Sequence, residues 1–245
     1  MNLESLKKIC DIRNLEEGND EYYQCEICKN RGYVLVVDEE NGSIDTKVCS
    51  CMLHRNNKRD IEKLGLVNLF ETYTFKTFET DEEWQSKFKT KAWEFATDPK
   101  GWLFIGGQIG SGKTLAGISV LNELMNRNYR CKFVQWQSLM QNLKAHLNEQ
   151  QYFDVLNEYS NVEVLYLDDL FKGGYNNTPT DSDVRLTQII IDSRYVNGKV
   201  TIISSELLMK DVLNISESIG SRIVERAKGN MIQIVKDKER NWRLR

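Results

Sequence analysis

Proline is almost missing: two residues in 245 exclude a proline-rich spacer or a collagen-like repeat. Excess charge is missing too. A net of −3, from 33 Lys and Arg against 36 Asp and Glu, argues against a chain that coats nucleic acid indiscriminately. No apolar run approaches the roughly 18–20 residues that span a bilayer. The N-terminal stretch MNLESLKKICDIRNLEEGND lacks the apolar core of a signal peptide. Internal repeats and low-complexity tracts are also absent. These absences predict a cytoplasmic chain without a membrane partner, in which thiols stay reduced. Its six cysteines are therefore read as metal ligands or core residues before disulfides. With 28% charged and 10% aromatic residues the chain is not disordered, and its length suits one domain plus a smaller one.

The charge is unevenly spread. Residues 1–60 carry 9 basic and 12 acidic side chains, leaving the remainder neutral, while Gly220–Arg245 hold 8 basic and 3 acidic ones. Four cysteines fall between Cys25 and Cys51, whereas Cys10 and Cys131 stand alone and read as ordinary thiols. From Leu66 to Lys100 the chain is polar with scattered aromatics, and Trp84, Phe88, Ala92 and Phe95 sit at helical spacing within about 81–97. Beyond residue 100, short apolar strands alternate with helical patterns. Strands are predicted at 102–105, 130–136, 162–167, 200–204 and 231–235. Helices are predicted at 115–126, 138–149 (with Ser138 as N-cap), 183–196 and 209–226. That alternation predicts an α/β fold with a parallel sheet. The expected organisation is a cysteine-rich N-terminal domain over 1–62, a connecting helical segment over 63–100, and an α/β domain over 101–245.

Gly107-Gln-Ile-Gly-Ser-Gly-Lys113-Thr114 matches the phosphate-loop pattern G-x-x-x-x-G-K-[ST] in full. Its glycines let backbone N–H groups turn towards phosphates, and the helix that follows adds the positive end of its dipole. The nucleotide-binding residues are thus Gly107, Gln108, Ile109, Gly110, Ser111, Gly112, Lys113, Thr114 and Leu115. Lys113 would reach the phosphates of ATP, and Thr114 would ligate Mg²⁺. Leu165-Tyr-Leu-Asp168-Asp169 ends an apolar strand on two acids, which need a cation to balance them there. Asp168 is assigned to Mg²⁺ and Asp169 to positioning the attacking water, although the two roles could be exchanged. The following strand ends Ser204-Ser205-Glu206, and Ser205 is the candidate sensor of the γ-phosphate. Arg222 and Arg226 stand one helical turn apart. They read either as a solvated face or as an arginine finger for a neighbouring subunit.

Cys25-x₂-Cys28, a twenty-residue insert and Cys49-x-Cys51 suit tetrahedral Zn²⁺ held by thiolates. The insert reads as two strands with a turn at Asn41-Gly42, a zinc ribbon. His54 is near enough in sequence to replace one thiolate. A four-cysteine structural site has no open position, so catalysis is not assigned to it.

Over about residues 65–245 the chain resembles the DnaC/DnaI-type helicase loaders within the AAA+ ATPases, including versions carried by phages and mobile elements. The resemblance rests on GQIGSGKT, LYLDD, the stretch Ile189-Ile-Ile-Asp-Ser-Arg-Tyr195 leading to Thr201-Ile-Ile-Ser-Ser205, and Gly220-Ser-Arg222-Ile-Val-Glu-Arg226. It implies a P-loop AAA+ core without a C-terminal helical lid, preceded by a small zinc-ribbon-like domain. It also implies ATP-dependent loading of a hexameric replicative helicase, single-stranded DNA as a partner, and a homo-oligomer. Arg222 would be the finger, and the cysteine-rich domain would be the helicase tether. Glu206 stands where many relatives have Asn. Lys172 and Arg185 are candidate DNA contacts, and equally ordinary surface residues. The competing readings are a transposition helper resembling IstB, a zinc-containing P-loop nucleoside kinase, and a nucleotide-gated adaptor that scarcely hydrolyses.

Overall fold

The insert between the cysteine pairs folds as a hairpin. The computed structural model describes residues 2–19, 24–147, 149–173 and 178–244. The chain divides into two compact units, Met1–Arg59 and Asp60–Arg245. In the first, β1 (Tyr33–Asp38) pairs antiparallel with β2 (Ser43–Val48), Tyr33 opposite Val48 and Asp38 opposite Ser43. The turn spans four residues because the Asp38 carboxylate accepts the N–H groups of Glu40 (2.9 Å) and Asn41 (3.2 Å), while Gly42 takes the left-handed conformation. Helix α1 (Leu3–Asn14) ends on Asn14, whose carboxamide exchanges two hydrogen bonds with the Leu35 backbone, both 2.9 Å. One side chain thus imitates a strand neighbour at the edge of β1. Helix α2 (Cys51–Lys63) begins on a cysteine of the cluster, and the division between units falls within it.

The second unit holds a sheet of five parallel strands: β3 (Trp102–Gly107), β4 (Cys131–Gln135), β5 (Val164–Asp168), β6 (Val200–Ser205) and β7 (Met231–Ile234). Their spatial order is β4-β5-β6-β3-β7, so β6 lies between the loop-bearing β3 and the acid-bearing β5. Strands buried on both faces read as unbroken apolar runs, and β3 is buried at all six positions. Alternate side chains separate into two cores. Leu103, Ile105, Tyr166 and Ile202 pack with α3 (Val67–Thr72), α4 (Glu83–Thr97) and α5 (Lys113–Asn126). Trp102, Phe104, Leu165, Leu167 and Ile203 pack on the other face. There they meet α6 (Trp136–Ala145), α7 (Gln150–Asn161), α8 (Asp181–Val196), α9 (Met209–Ile215) and α10 (Glu217–Arg226). Each fully buried side chain of this size contributes about 1.5–3 kcal/mol. The aromatics of the predicted connecting segment, Phe70, Phe78, Phe88 and Phe95, all belong to the first core.

Helices α1 and α2 are additions to the sequence reading, and beyond residue 100 three elements differ from expectation. Helix α6 starts at Trp136, so Ser138 lies in its first turn rather than at its cap. The cause is Trp136, which is buried edge-on to Phe171 with its indole N–H on the Thr187 hydroxyl at 2.8 Å. Helix α7 is an addition. The predicted 209–226 helix is two, because Ser216 leaves the helical conformation (φ −153°, ψ 107°) and its side chain caps α10 through the Ile219 N–H. Among the described residues, no helix is long and apolar enough to cross a membrane.

Candidate nucleotide site and cysteine cluster

Residues 108–112 turn between β3 and α5, at the carboxyl ends of the strands where open α/β sheets bind ligands. Gly107, Gly110 and Gly112 all have positive φ (112°, 72° and 86°), which side chains with a Cβ rarely adopt. Lys113, the first residue of α5, is buried and donates to the carbonyls of Gly107 (2.9 Å) and Gln108 (2.7 Å). Burial holds its amine below the ordinary lysine value, against the opposing pull of Asp169, Glu206 and Asp168. Ser111 Oγ braces the turn on the Gln108 carbonyl at 2.8 Å.

Asp168 ends β5, and its carboxylate meets the Thr114 hydroxyl at 3.3 and 3.4 Å. Two further hydroxyls donate to Oδ1, Tyr166 at 2.6 Å and Ser204. Burial raises the Asp168 carboxyl above its ordinary value even though these hydrogen bonds favour the anion. Tyr166 reaches it only because residue 117 of α5 lacks a side chain: a Cβ there would lie 2.3–2.6 Å from the phenol ring. Asp169 leaves the strand in the left-handed conformation (φ 57°), with its N–H on Ser204 Oγ at 2.9 Å. Its carboxylate and that of Glu206 each lie 2.8 Å from the Lys172 amine. Burial works against that ammonium, but the two hydrogen bonds prevail and hold it above the ordinary lysine value.

A cavity of about 430 Å³ opens on this arrangement. Ile109 to Leu115, Asp169, Lys172 and Glu206 line it, and so do Tyr73, Phe78, Gln85 and Trp242. Residues 34–239 match the IstB-like ATP binding protein family (IstB_IS21). The chain belongs to that family. It is 32% identical over 224 residues to the phage-like element PBSX protein XkdC of Bacillus subtilis (strain 168), covering 85% of this chain and 81% of that protein. Its fold resembles the DnaC helicase loader (TM-score 0.58, 22% identity, 69% of this chain and 98% of that one). It also resembles the replication initiator DnaA bound to AMPPCP and single-stranded DNA, with TM-score 0.57 and 23% identity. That match covers 68% of this chain and only half of DnaA. The architecture is thus a P-loop AAA+ fold.

Within this IstB-like core, Ser205 is buried on the face opposite Asp168. Its hydroxyl donates to the Leu170 carbonyl (2.7 Å) and accepts the Leu207 N–H (3.2 Å). The hydroxyl that meets the acid belongs to Ser204. Strand parity carries the signal, since Ile202 and Ser204 share one face and Ile203 and Ser205 the other. Arg222 lies on α10 outside the cavity, its guanidinium on Asp192 (2.8 Å), the Ser218 carbonyl (2.7 Å) and the Tyr195 ring. Arg226 stacks on the same ring, 4.7 Å from its centroid, and donates to the Tyr195 carbonyl. Arg185 is exposed on α8. The cavity residues Tyr73, Phe78, Gln85 and Trp242 were not singled out by sequence; only the density of aromatics in 70–78 hinted at them.

The four cysteine sulfurs of the first unit lie within 4.8 Å of one another. Cys25 and Cys49 are 3.8 Å apart, Cys28 and Cys51 3.6 Å. A tetrahedron with metal–sulfur bonds of about 2.3 Å has edges of about 3.8 Å, so the donor set fits a four-thiolate metal site. His54 is outside the group. Gly32 N–H (3.3 Å) and the Arg55 guanidinium (3.9 Å) point at Cys28 Sγ. Burial pushes the Cys28 thiol up, but the Gly32 N–H and the neighbouring thiols outweigh it and bring it to about 7. Burial and its neighbours push Cys51 well above the ordinary thiol value.

Proposed function

We propose that this protein is an ATP-dependent helicase loader of DNA replication, a cytosolic homo-oligomer that binds ATP with Mg²⁺, single-stranded DNA and a hexameric replicative helicase. The observation that carries the reading is the convergence of Lys113, Thr114 and the buried Asp168 at the carboxyl ends of β3 and β5. Lys113 would exchange its two loop carbonyls for phosphate oxygens, which accept more strongly because they are charged. Thr114 and Asp168 would hold Mg²⁺, which when bound supplies positive charge to the phosphates. Tyr166 and Ser204 fix the Asp168 carboxylate in rotation, and Asp169 would orient water once released from Lys172. Cys25, Cys28, Cys49 and Cys51 would hold Zn²⁺ in a structural role, giving the first unit a rigid surface for the helicase.

Arg222 would complete the ATP site of the next subunit, which makes hydrolysis depend on assembly. It stands outside its own cavity, and this favours the trans role. The basic stretch 220–245 supplies charge for a nucleic-acid backbone. The likeness to the DnaC loader and the relationship to a phage-element protein favour this reading over others. A second reading, a transposition helper acting on duplex DNA, is favoured by the family's IstB-like description.

The test compares ATP hydrolysis and helicase capture by the wild-type chain, Lys113→Ala and Arg222→Ala. Lys113→Ala should lose nucleotide binding, and Arg222→Ala should bind ATP but lose stimulation by single-stranded DNA. Stimulation by duplex DNA alone, with no capture of the replicative helicase, would decide for the transposition helper.

A further inference from the structure

Gln85 lies in the first turn of α4 and is 1% exposed, yet it lines the nucleotide cavity. Its two polar atoms are treated differently by the fold. The carbonyl oxygen accepts the Glu82 N–H at 2.7 Å and so closes the capping box of α4. The amide nitrogen Nε2 is buried and has no hydrogen-bond partner. A buried donor left unmet is costly, and folds rarely retain one without a ligand or an ion to meet it. The cap fixes the carboxamide's orientation, so the group can offer this cavity a donor and nothing else.

Trp242 forms another wall of the same space. Its backbone N–H donates to the Gly110 carbonyl at 3.0 Å, which ties the C-terminal segment to the crest of the phosphate loop. The approach is so close that a Cβ on residue 110 would fall 2.0 Å from Asn241 Oδ1. Three aromatic side chains, Tyr73, Phe78 and Trp242, line the cavity together with this fixed donor and with Thr77, Glu79 and Arg243. That composition suits a heterocyclic base rather than another phosphate.

We propose that Gln85 and Trp242 are the specificity-determining contacts for the nucleoside half of the ligand. Gln85 Nε2 donates to an acceptor on the base, and Trp242 covers its face. The inference rests on the ATP reading of the loop and extends it to the aromatic lining of the same cavity.

The test measures affinity of the full chain for Mg·ATP and, by competition, for Mg·tripolyphosphate, which has no nucleoside. Gln85→Glu retains the oxygen that caps α4 and replaces the donor by an acceptor. It should weaken ATP about 10- to 100-fold while leaving tripolyphosphate within about twofold. Gln85→Leu should weaken ATP by about tenfold, and Trp242→Ala by a similar factor that Trp242→Phe largely restores. Thermal melting of each variant separates a lost contact from a lost fold. Unchanged ATP affinity in folded Gln85→Glu and Gln85→Leu would overturn the proposal, as would an equal loss for tripolyphosphate. Failure of the wild-type chain to bind either ligand would instead overturn the assignment of the loop.

Discussion

Arg194 is the largest buried charge of the ATPase unit and offers the sharpest test of how its sheet is held. It is 0% exposed, and its guanidinium gathers five acceptors. These are the carbonyls of Tyr159 (2.9 Å), Ser160 (3.3 Å), Val162 (2.9 Å) and Val200 (2.5 Å), and the Thr201 hydroxyl (2.9 Å). Tyr159 and Ser160 close α7, where helix carbonyls lack helical partners and the dipole favours a cation. Val200 and Thr201 open β6, the strand whose far end carries Ser204 to Asp168. Arg194→Met retains most of the stem and removes every donor. Three carbonyls bound at 2.9 Å or less lose their partner, at about 1–3 kcal/mol each. Relief of the buried guanidinium's own desolvation offsets part of this. The expected net loss is about 3 kcal/mol, a fall in Tm of about 6–12 °C for a domain of this size. Arg194→Lys, with three donors from a single point, should lose about half as much. All five tryptophans lie between residues 84 and 242, so their fluorescence during urea unfolding reports the second unit alone. A loss below about 1 kcal/mol for Arg194→Met at unchanged m-value would refute this account of the residue.

Three other outcomes are expected. Protein purified under reducing conditions should release a single zinc ion per chain when its thiols are modified, with loss of helical and strand signal but unchanged tryptophan emission; equal reactivity of all six cysteines in the native protein would remove the cluster's role. Gly117→Ala should destabilise the ATPase unit by about 1–3 kcal/mol and weaken hydrolysis more than binding, because the new methyl displaces the Tyr166 ring; a neutral variant in a melting assay would show that the ring has room to move. Asp168→Asn should bind ATP and lose hydrolysis by at least about 100-fold. Its stability has a defined pH dependence. Burial raises the wild-type carboxyl, so the stability it contributes is fully present below the unfolded value near 3.8 and is lost as pH rises through the higher folded value. Ionised Asp168 is therefore a net cost at neutral pH, and the Asn variant should melt no lower than wild type at pH 7, with its relative advantage shrinking towards pH 4. A variant clearly less stable at pH 7 would contradict that sign.

The sequence made the chemistry of the loop legible because its residues are contiguous. Gly107 to Thr114 carry their whole geometry in local φ angles and a helix start, and the apolar run at Trp102 announces a strand buried on both faces. Features that depend on parity were half legible. Asp168, Tyr166 and Ser204 share a face by simple alternation along β5 and β6, but choosing Ser204 over Ser205 needs the register that sets Leu167 beside Ile203. Helix α7 holds Tyr152, Val155, Leu156 and Tyr159 at helical spacing, a pattern obscured by the polar residues on either side. The orphan amide of Gln85 and the Trp242–Gly110 bond join residues that are far apart in sequence, and no local pattern encodes such a meeting.

The arrangement around the loop would restrain the proposed hydrolysis in the isolated chain. Lys113 is held by two carbonyls, Thr114 by Asp168, and Asp169 by Lys172, which is shared with Glu206. Each polar group that the proposed reaction needs already has a partner of modest strength within the chain. A triphosphate can replace the partners of Lys113 and Thr114 directly, since phosphate oxygens and a divalent cation are stronger than carbonyls and a hydroxyl contact. The Asp169–Lys172–Glu206 set is different, because it is an ammonium shared by two carboxylates rather than a contact with neutral carbonyls. Glu206 thereby takes on a meaning that its place after Ser205 did not convey: it shares the ammonium that holds the carboxylate assigned to the water. Freeing Asp169 requires Lys172 to be drawn elsewhere, and an anion supplied by DNA or by a neighbouring subunit is the chemistry able to do so. Lys172→Gln removes that hold without altering the loop. It should raise the unstimulated rate and narrow the gap to the DNA-stimulated one, whereas an unchanged ratio of the two rates would mean that Lys172 does not restrain the acid.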